Sequence, residues 1–215
     1  MKRPLALLLT MTLLFAFSGC SFINRTVETP ANAALVMNEP PKSVQIDTHV
    51  SVRIGRTNYA GNISQTAYKG VTAASADIAG EKTAVYTAEE NRQYFRYTQL
   101  KSGAWNKTAI TKIEYEQSIP LYRTGITFAA ADFKRGSGHS FEVTPARAAE
   151  VAEALFGDFI DYKPTDVALT VTFDGWAVSR LNFSFKVTVD GQRASGTADC
   201  VVTKPAAVIP LPVVK

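Results

Sequence analysis

Two cysteines and two histidines are the residues of this sequence best suited to nucleophilic or metal chemistry. His49 and His139 lie 90 positions apart, and each falls on the polar side of a strand-like pattern, which is typical of solvent-facing side chains. The sequence contains no Gly-rich phosphate loop and no HExxH, Cys-X-X-Cys or GxSxG motif. Since no nucleophile can be paired with a base, we expect a protein that is not an enzyme and holds no metal or other cofactor.

Cys20 ends an N-terminal segment with the pattern of an export signal. Lys2 and Arg3 give a positive start, Leu5 to Phe17 form an apolar run, and the small pair Ser18-Gly19 leads into the cysteine. The apolar run is shorter than the roughly 20 residues that a membrane-spanning helix needs. We therefore predict that residues 1–19 are a cleaved signal peptide.

The four residues Phe17-Ser18-Gly19-Cys20 resemble the bacterial lipobox. The resemblance implies that the chain is cut before Cys20, that the thiol receives a diacylglyceryl group, and that the protein attaches to a membrane outside the cytoplasm. Two or more acyl chains give stable anchoring, whereas one binds only marginally. Ser21 stands where Asp favours inner-membrane retention in some Gram-negative systems, so the resemblance implies the outer membrane if the cell has one.

The second cysteine, Cys200, is left without a disulfide partner if Cys20 is lipidated. Ala198, Cys200 and Val202 alternate along a strand-like run, which predicts a buried and unreactive thiol.

The formal charge of +4 includes Lys2 and Arg3 of the signal, and no basic cluster follows. We expect no nucleic-acid partner.

Residues 20–45 lack an apolar period and contain three prolines, which predicts a lipidated N-terminus followed by a flexible tether. Residues 46–215 are predicted to form a single β-rich domain. Period-two alternation predicts strands from His49 to Ile54 and, more strongly, in the C-terminal half. Asp174-Gly175 and Asp190-Gly191 predict turns between the C-terminal strands. The other predicted strands cover Ile63–Tyr68, Thr83–Thr87, Gln93–Gln99, Val167–Phe173, Phe183–Val189 and about Arg193–Thr203.

One helix is predicted from Thr144, a good N-cap, and Pro145, which suits the first helical position. Ala148, Val151, Ala152, Leu155 and Phe156 then share one face, and Gly157 favours a stop. Residues 110–133 fit either element type, although Pro120 argues against a continuous helix. The predicted fold class is α+β, a curved antiparallel sheet packed by one or two helices.

Aromatic residues give the best indication of a ligand site. They fill a β core on one interpretation and line an apolar cavity on the other, because periodicity does not distinguish a filled interior from a hollow one. The residues proposed to line a ligand are Phe95, Trp105, Phe173, Phe183 and Phe185.

Two segments, Ala84–Lys107 and Asp166–Gln192, resemble the mycobacterial LppX/LprG-type lipoproteins. Those families, like the lipoprotein receptor LolB, adopt an open β half-barrel with helices over its concave face and carry lipids. The resemblance implies an open half-barrel that binds a lipid or acyl chain.

Two functions remain open from the sequence. The first is a membrane-anchored lipoprotein of the cell envelope that binds an apolar ligand. The second is a structural or assembly lipoprotein whose filled β domain docks on an envelope protein. An interior apolar cavity of about 300 Å³ or more favours the first, and a fully packed interior favours the second.

Overall fold

The computed structural model describes residues 25–39, 41, 43–100, 102–118, 126–156, 164–189, 191–205 and 208–214. Cys20 and the predicted signal peptide lie outside these ranges, as do Pro120 and Gly157. Among the described residues, no helix has both the length and the apolar character needed to cross a membrane.

The described chain forms one sheet of eleven antiparallel strands, in the order β6-β5-β4-β3-β2-β1-β11-β10-β9-β8-β7. The sheet is curved and does not close on itself, which confirms the predicted α+β class with a curved antiparallel sheet. The strands are β1 Val44–Ile54, β2 Thr57–Tyr68, β3 Val71–Ile78, β4 Glu81–Glu90, β5 Gln93–Gln99, β6 Trp105–Ile110, β7 Phe133–Arg135, β8 Ser140–Val143, β9 Thr165–Asp174, β10 Ala177–Val189 and β11 Gln192–Thr203.

Three α-helices accompany the sheet in the described ranges: α1 Pro30–Asn38, α2 Lys112–Gln117 and α3 Pro145–Phe156. A 3₁₀ turn at Ala130–Asp132 precedes β7. The predicted helix after Thr144 is therefore confirmed as α3, and all five residues of its predicted apolar face are buried.

Strand register divides the sheet into two faces, because residues paired across neighbouring strands point to the same side. We call one side the inner face; its central row runs from Phe141 through Val171, Leu181, Cys200, Thr48 and Ile63 to Ala76. The helices α1 and α3 contribute buried side chains to the hydrophobic core on this face. The opposite side is the outer face.

The sheet has two edges where strands turn. The lower edge carries the turns at 69–70, 91–92 and 175–176, and the upper edge carries those at 55–56 and 79–80 together with Gly191. Gly175 and Gly191 have φ of +57° and +77°, a conformation that glycine adopts without strain. The ladder between β10 and β11 closes with Val189 opposite Gln192, which confirms the predicted hairpin pairing, while Asp190 of the predicted turn lies outside the described residues.

The N-terminal segment differs from the predicted flexible tether over residues 20–45. Thr29 caps α1 by accepting a hydrogen bond from the Asn32 amide at 3.2 Å, and Pro30 occupies a first-turn position. Val27 and Met37 are at most 1% exposed and belong to the core. The prediction of a tether is therefore wrong for the described residues from Val27 onward, because Pro30 begins a helix here and does not break one.

The remaining differences lie in short or weakly apolar strands. The sequence Val71–Ile78 is rich in Ala and Ser and was not predicted as a strand, yet it forms β3 between β2 and β4. The ambiguous stretch 110–133 contains the end of β6, the helix α2, the 3₁₀ turn and the start of β7, with 119–125 outside the described residues.

Candidate functional site

Three of the five predicted ligand-lining residues lie together on the inner face. Phe173 packs edge-on against Phe141 at 5.8 Å between ring centroids, and Phe183 packs edge-on against Phe156 of α3 at 5.4 Å. Phe185 lies directly over Gly196, where a Cβ atom would come within 2.4 Å of the ring. All three are at most 6% exposed, so in this structure they fill the core between sheet and helices.

The other two, Phe95 and Trp105, lie on the outer face of β5 and β6. Phe95 has the Lys107 ammonium 4.0 Å from its ring centroid, and Trp105 packs edge-on against Tyr86 at 5.2 Å. The structure therefore separates the five predicted residues into two groups on opposite sides of the sheet.

An ionic cluster accompanies the outer-face aromatics. Lys107 Nζ donates to Glu90 Oε2 at 2.9 Å, and the Tyr97 hydroxyl donates to Glu90 Oε1. The hydrogen bond from Lys107, followed by that from Tyr97, lowers the pKa of the Glu90 carboxyl. Burial, followed by the bond to Glu90, raises the pKa of Tyr97. The cluster therefore holds a charged pair against an aromatic surface.

An apolar surface remains partly open at the upper edge of the inner face. We call it the rim and define it as Val52, Ile54, Tyr59 and Ile78. Val52 pairs with Tyr59 across β1 and β2, while the three aliphatic side chains are half-buried against the core. Tyr59 is 47% exposed, an unusual state for a large side chain on the core-facing side of a sheet.

Small side chains cover the inner face next to the rim. We call this group the floor; its members are Ala67, Thr72, Ala74, Ala76, Val85 and Thr87 on β2, β3 and β4. Ala74 and Val85 are half-buried and paired, whereas the other four are buried. The hydroxyls of Thr72 and Thr87 are 2.6 Å apart and so satisfy each other. The side chains of the floor are smaller than the phenylalanines that cover β9 and β10.

Gln65 places a polar group beside the floor. Its Nε2 donates to the carbonyl of Leu155 in the last turn of α3 at 3.2 Å. Its Oε1 is buried and has no hydrogen-bond partner among the described residues, and Gln65 is only 6% exposed to water. A buried acceptor in this state costs about 1–3 kcal/mol until a donor reaches it.

The outer face carries a polar hollow of about 640 Å³ across β11, β1, β2, β3 and β4. Asp47 accepts from Ser64 at 2.7 Å, and Asp199 accepts from Asn182 at 2.8 Å. His49 lies in the same hollow, 3.1 Å from the Asn62 side chain. These groups are largely satisfied by one another, so the hollow presents an ordered polar surface.

The histidines and the second cysteine lie where the sequence predicts. His49 and His139 are both exposed, and His139 occupies the turn between β7 and β8. Cys200 is fully buried, and this burial raises the pKa of its thiol to about 12. No group of three or more potential metal ligands occurs within the described ranges.

The sequence does not predict the rim, although Val52 and Ile54 lie in a predicted strand, because the segment around Tyr59 resembles a turn. Tyr59 lies within Thr57–Asn62, where Asn and Gly interrupt the apolar period. The aromatic and β-branched alternation of β9 and β10 gave the stronger signal, and that signal marks filled core.

No protein-family model matches the chain, and no curated protein matches it either. Among solved structures, a DUF1329 family protein from Desulfovibrio piger is 10% identical over 85% of this chain and 96% of that chain, with a TM-score of 0.31. A protein assigned as an outer membrane lipoprotein-sorting domain, from Vibrio parahaemolyticus, is 9% identical over 84% of this chain and 92% of that chain, with a TM-score of 0.30. TM-scores this low do not establish a common fold, and they carry no argument about function.

Proposed function

We propose that this protein is a non-enzymatic lipoprotein of the cell envelope, anchored through Cys20, whose open half-barrel binds one apolar chain on its inner face. The ligand is a lipid or acyl chain. It enters at the rim and lies over the floor, between α3 and α2. In a cell with two membranes, Ser21 favours the outer one. The half-open rim, with Tyr59 at 47% exposure beside half-buried aliphatic side chains, is the observation that carries the proposal.

An acyl chain suits this surface because both are apolar. Burying a CH₂ group stabilises a complex by about 0.8 kcal/mol, so about ten carbons contribute roughly 8 kcal/mol before the entropic cost of binding. After that cost the net free energy is smaller than the roughly 8.2 kcal/mol of a micromolar complex, so ten buried carbons alone give reversible binding weaker than micromolar. The half-buried rim residues would lose their remaining contact with water on binding.

Gln65 supplies a polar contact within the same region. Its unpartnered Oε1 accepts a hydrogen bond and donates none, so it suits a hydroxyl, amide or protonated carboxyl group on the ligand. Such a contact would fix the position of the ligand while the apolar chain supplies most of the free energy.

Adjacent alanines on opposite faces of β3 provide the test. Ala74 belongs to the floor and Ala73 lies on the outer face, and both are half-buried. Ala74→Leu adds volume on the inner face, where we place the ligand, so we expect it to weaken binding of a fluorescent fatty acid at least about tenfold, the equivalent of 1.4 kcal/mol. Ala73→Leu adds the same volume on the other side and should bind as wild type does. Equal affinity in both variants would reject the inner-face site.

A docking role is the second candidate, and the packing of Phe173, Phe183 and Phe185 favours it. In that case the ordered polar hollow on the outer face would meet an envelope protein. Failure of wild type to take up any fatty acid, together with cross-links from Asp47 or Asp199 positions to another envelope protein, would support docking over ligand binding.

A further inference from the structure

The first described residues are fixed to the lower edge of the sheet. The Val27 amide donates to the Gly175 carbonyl at 3.1 Å, in the turn between β9 and β10. The Arg25 guanidinium lies 5.9 Å from the ring centroid of Trp176 in the same turn. The chain therefore joins the folded body at one defined edge.

Only a short segment separates this edge from the proposed anchor. Arg25 follows Cys20 by five residues. At a maximum of about 3.5 Å per residue, those five residues span no more than roughly 18 Å. We propose that the lower edge rests on the lipid headgroups of the membrane that holds Cys20, so that the rim opens away from that membrane. The inference depends on the Cys20 anchor of the proposed function.

The side chains of the lower edge suit a headgroup layer. Trp176 is covered by Arg25, and Lys69 lies 5.2 Å from the ring centroid of Tyr68 in the turn between β2 and β3. Trp and Tyr are enriched at membrane–water interfaces, and long basic side chains reach from apolar surface to headgroups.

The charges of the lower edge are mixed. Exposed Arg92, Arg135 and Lys204 share this edge with exposed Glu89 and Asp174. The contact therefore requires no anionic lipid, and vesicles of neutral lipid are a suitable probe. The short connection to Cys20 brings the edge to the bilayer.

The rim lies at the other end of the same strands. β1 runs from Val44 at the lower edge to Ile54 at the upper edge, 11 residues that extend about 36 Å at 3.3 Å per residue. If the lower edge contacts the membrane, the rim therefore lies tens of ångströms from that membrane. The ligand would then enter and leave on the side of the protein that faces away from the anchoring bilayer.

The two tryptophans of the chain test this orientation, because they lie at different heights along the strands. Trp176 is at the lower edge, whereas Trp105 begins β6, where the register places it level with Asp47 of β1, about four residues or 13 Å further from the proposed membrane contact. The full chain, produced in a bacterium that lipidates exported proteins, is reconstituted in phosphatidylcholine vesicles carrying a nitroxide on the headgroup. Trp105→Phe leaves Trp176 as the reporter, and Trp176→Phe leaves Trp105.

We expect several-fold stronger nitroxide quenching of Trp176 than of Trp105. Equal quenching, or stronger quenching of Trp105, would overturn the orientation. Cys20→Ser in each variant tests the anchor separately by sedimentation with the vesicles. If wild type sediments through Cys20 but both tryptophans are quenched equally, the anchor stands and the orientation fails; if Cys20→Ser leaves sedimentation unchanged, the anchor itself fails.

Discussion

At the residue scale, Glu90 is the clearest case of a side chain whose protonation state depends on folding. Its carboxylate receives hydrogen bonds from Lys107 and Tyr97, and these bonds exist only when β4, β5 and β6 are paired. They lower the pKa of Glu90 below its ordinary value of 4.5. The ionised form of the Glu90 carboxyl is therefore more stable in the folded protein than in the unfolded chain.

The sign of the pH dependence follows by linkage. A carboxyl group with a depressed pKa stabilises the fold above its unfolded pKa, and this contribution is lost as the pH falls through the folded pKa. We expect Glu90→Gln to lower the free energy of unfolding at pH 7, and the deficit to shrink as the pH drops below 4.5. Urea titrations across that range measure it. The neighbouring exposed Glu89→Gln serves as control, and a deficit independent of pH would refute the ionic explanation.

At the element scale, α1 decides where the folded body begins. Four of its nine residues are buried, namely Ala33, Ala34, Val36 and Met37. The sequence predicts a tether over residues 20–45 because this segment is weakly periodic and its prolines are typical of loops. Its helical state depends on tertiary packing and on the Thr29 cap, neither of which a periodicity test detects.

Two substitutions in α1 distinguish a packed helix from a tether. Met37 is fully buried and Leu35 is 52% exposed, although they lie two residues apart. Met37→Ala should reduce the free energy of unfolding by about 2–5 kcal/mol, and Leu35→Ala by no more than about 0.5 kcal/mol. Chemical denaturation provides both values. Near-identical stabilities of the two variants would mean that α1 does not belong to the core.

Strands show the same division between local signal and tertiary context. The alternation of large apolar residues predicted β9, much of β10 and β11, and the Thr144-Pro145 pair predicted α3. β3 was not predicted, because alanines and serines carry little periodic signal and the strand is held by its partners β2 and β4. Weakly apolar strands therefore acquire their identity from the sheet around them.

At the scale of the whole molecule, the candidate site follows from register across many strands. Phe95 and Phe183 both looked suitable for an interior, yet they lie on opposite faces. That result depends on pairings that run from β5 through β1 to β10. A single strand shows only which residues share a side, and not which side faces the core. The rim likewise follows from register, because the pairing of Val52 with Tyr59 places both side chains on the core-facing side of the sheet.

The most direct test of the ligand-binding claim is native mass spectrometry of the full chain purified from bacterial membranes in mild detergent. The account predicts a species heavier than the lipidated protein by the mass of one lipid or fatty acid, which organic extraction removes and which Ala74→Leu, but not Ala73→Leu, reduces. A wild-type spectrum with the unliganded mass alone, unchanged after incubation with fatty acid, would contradict the claim.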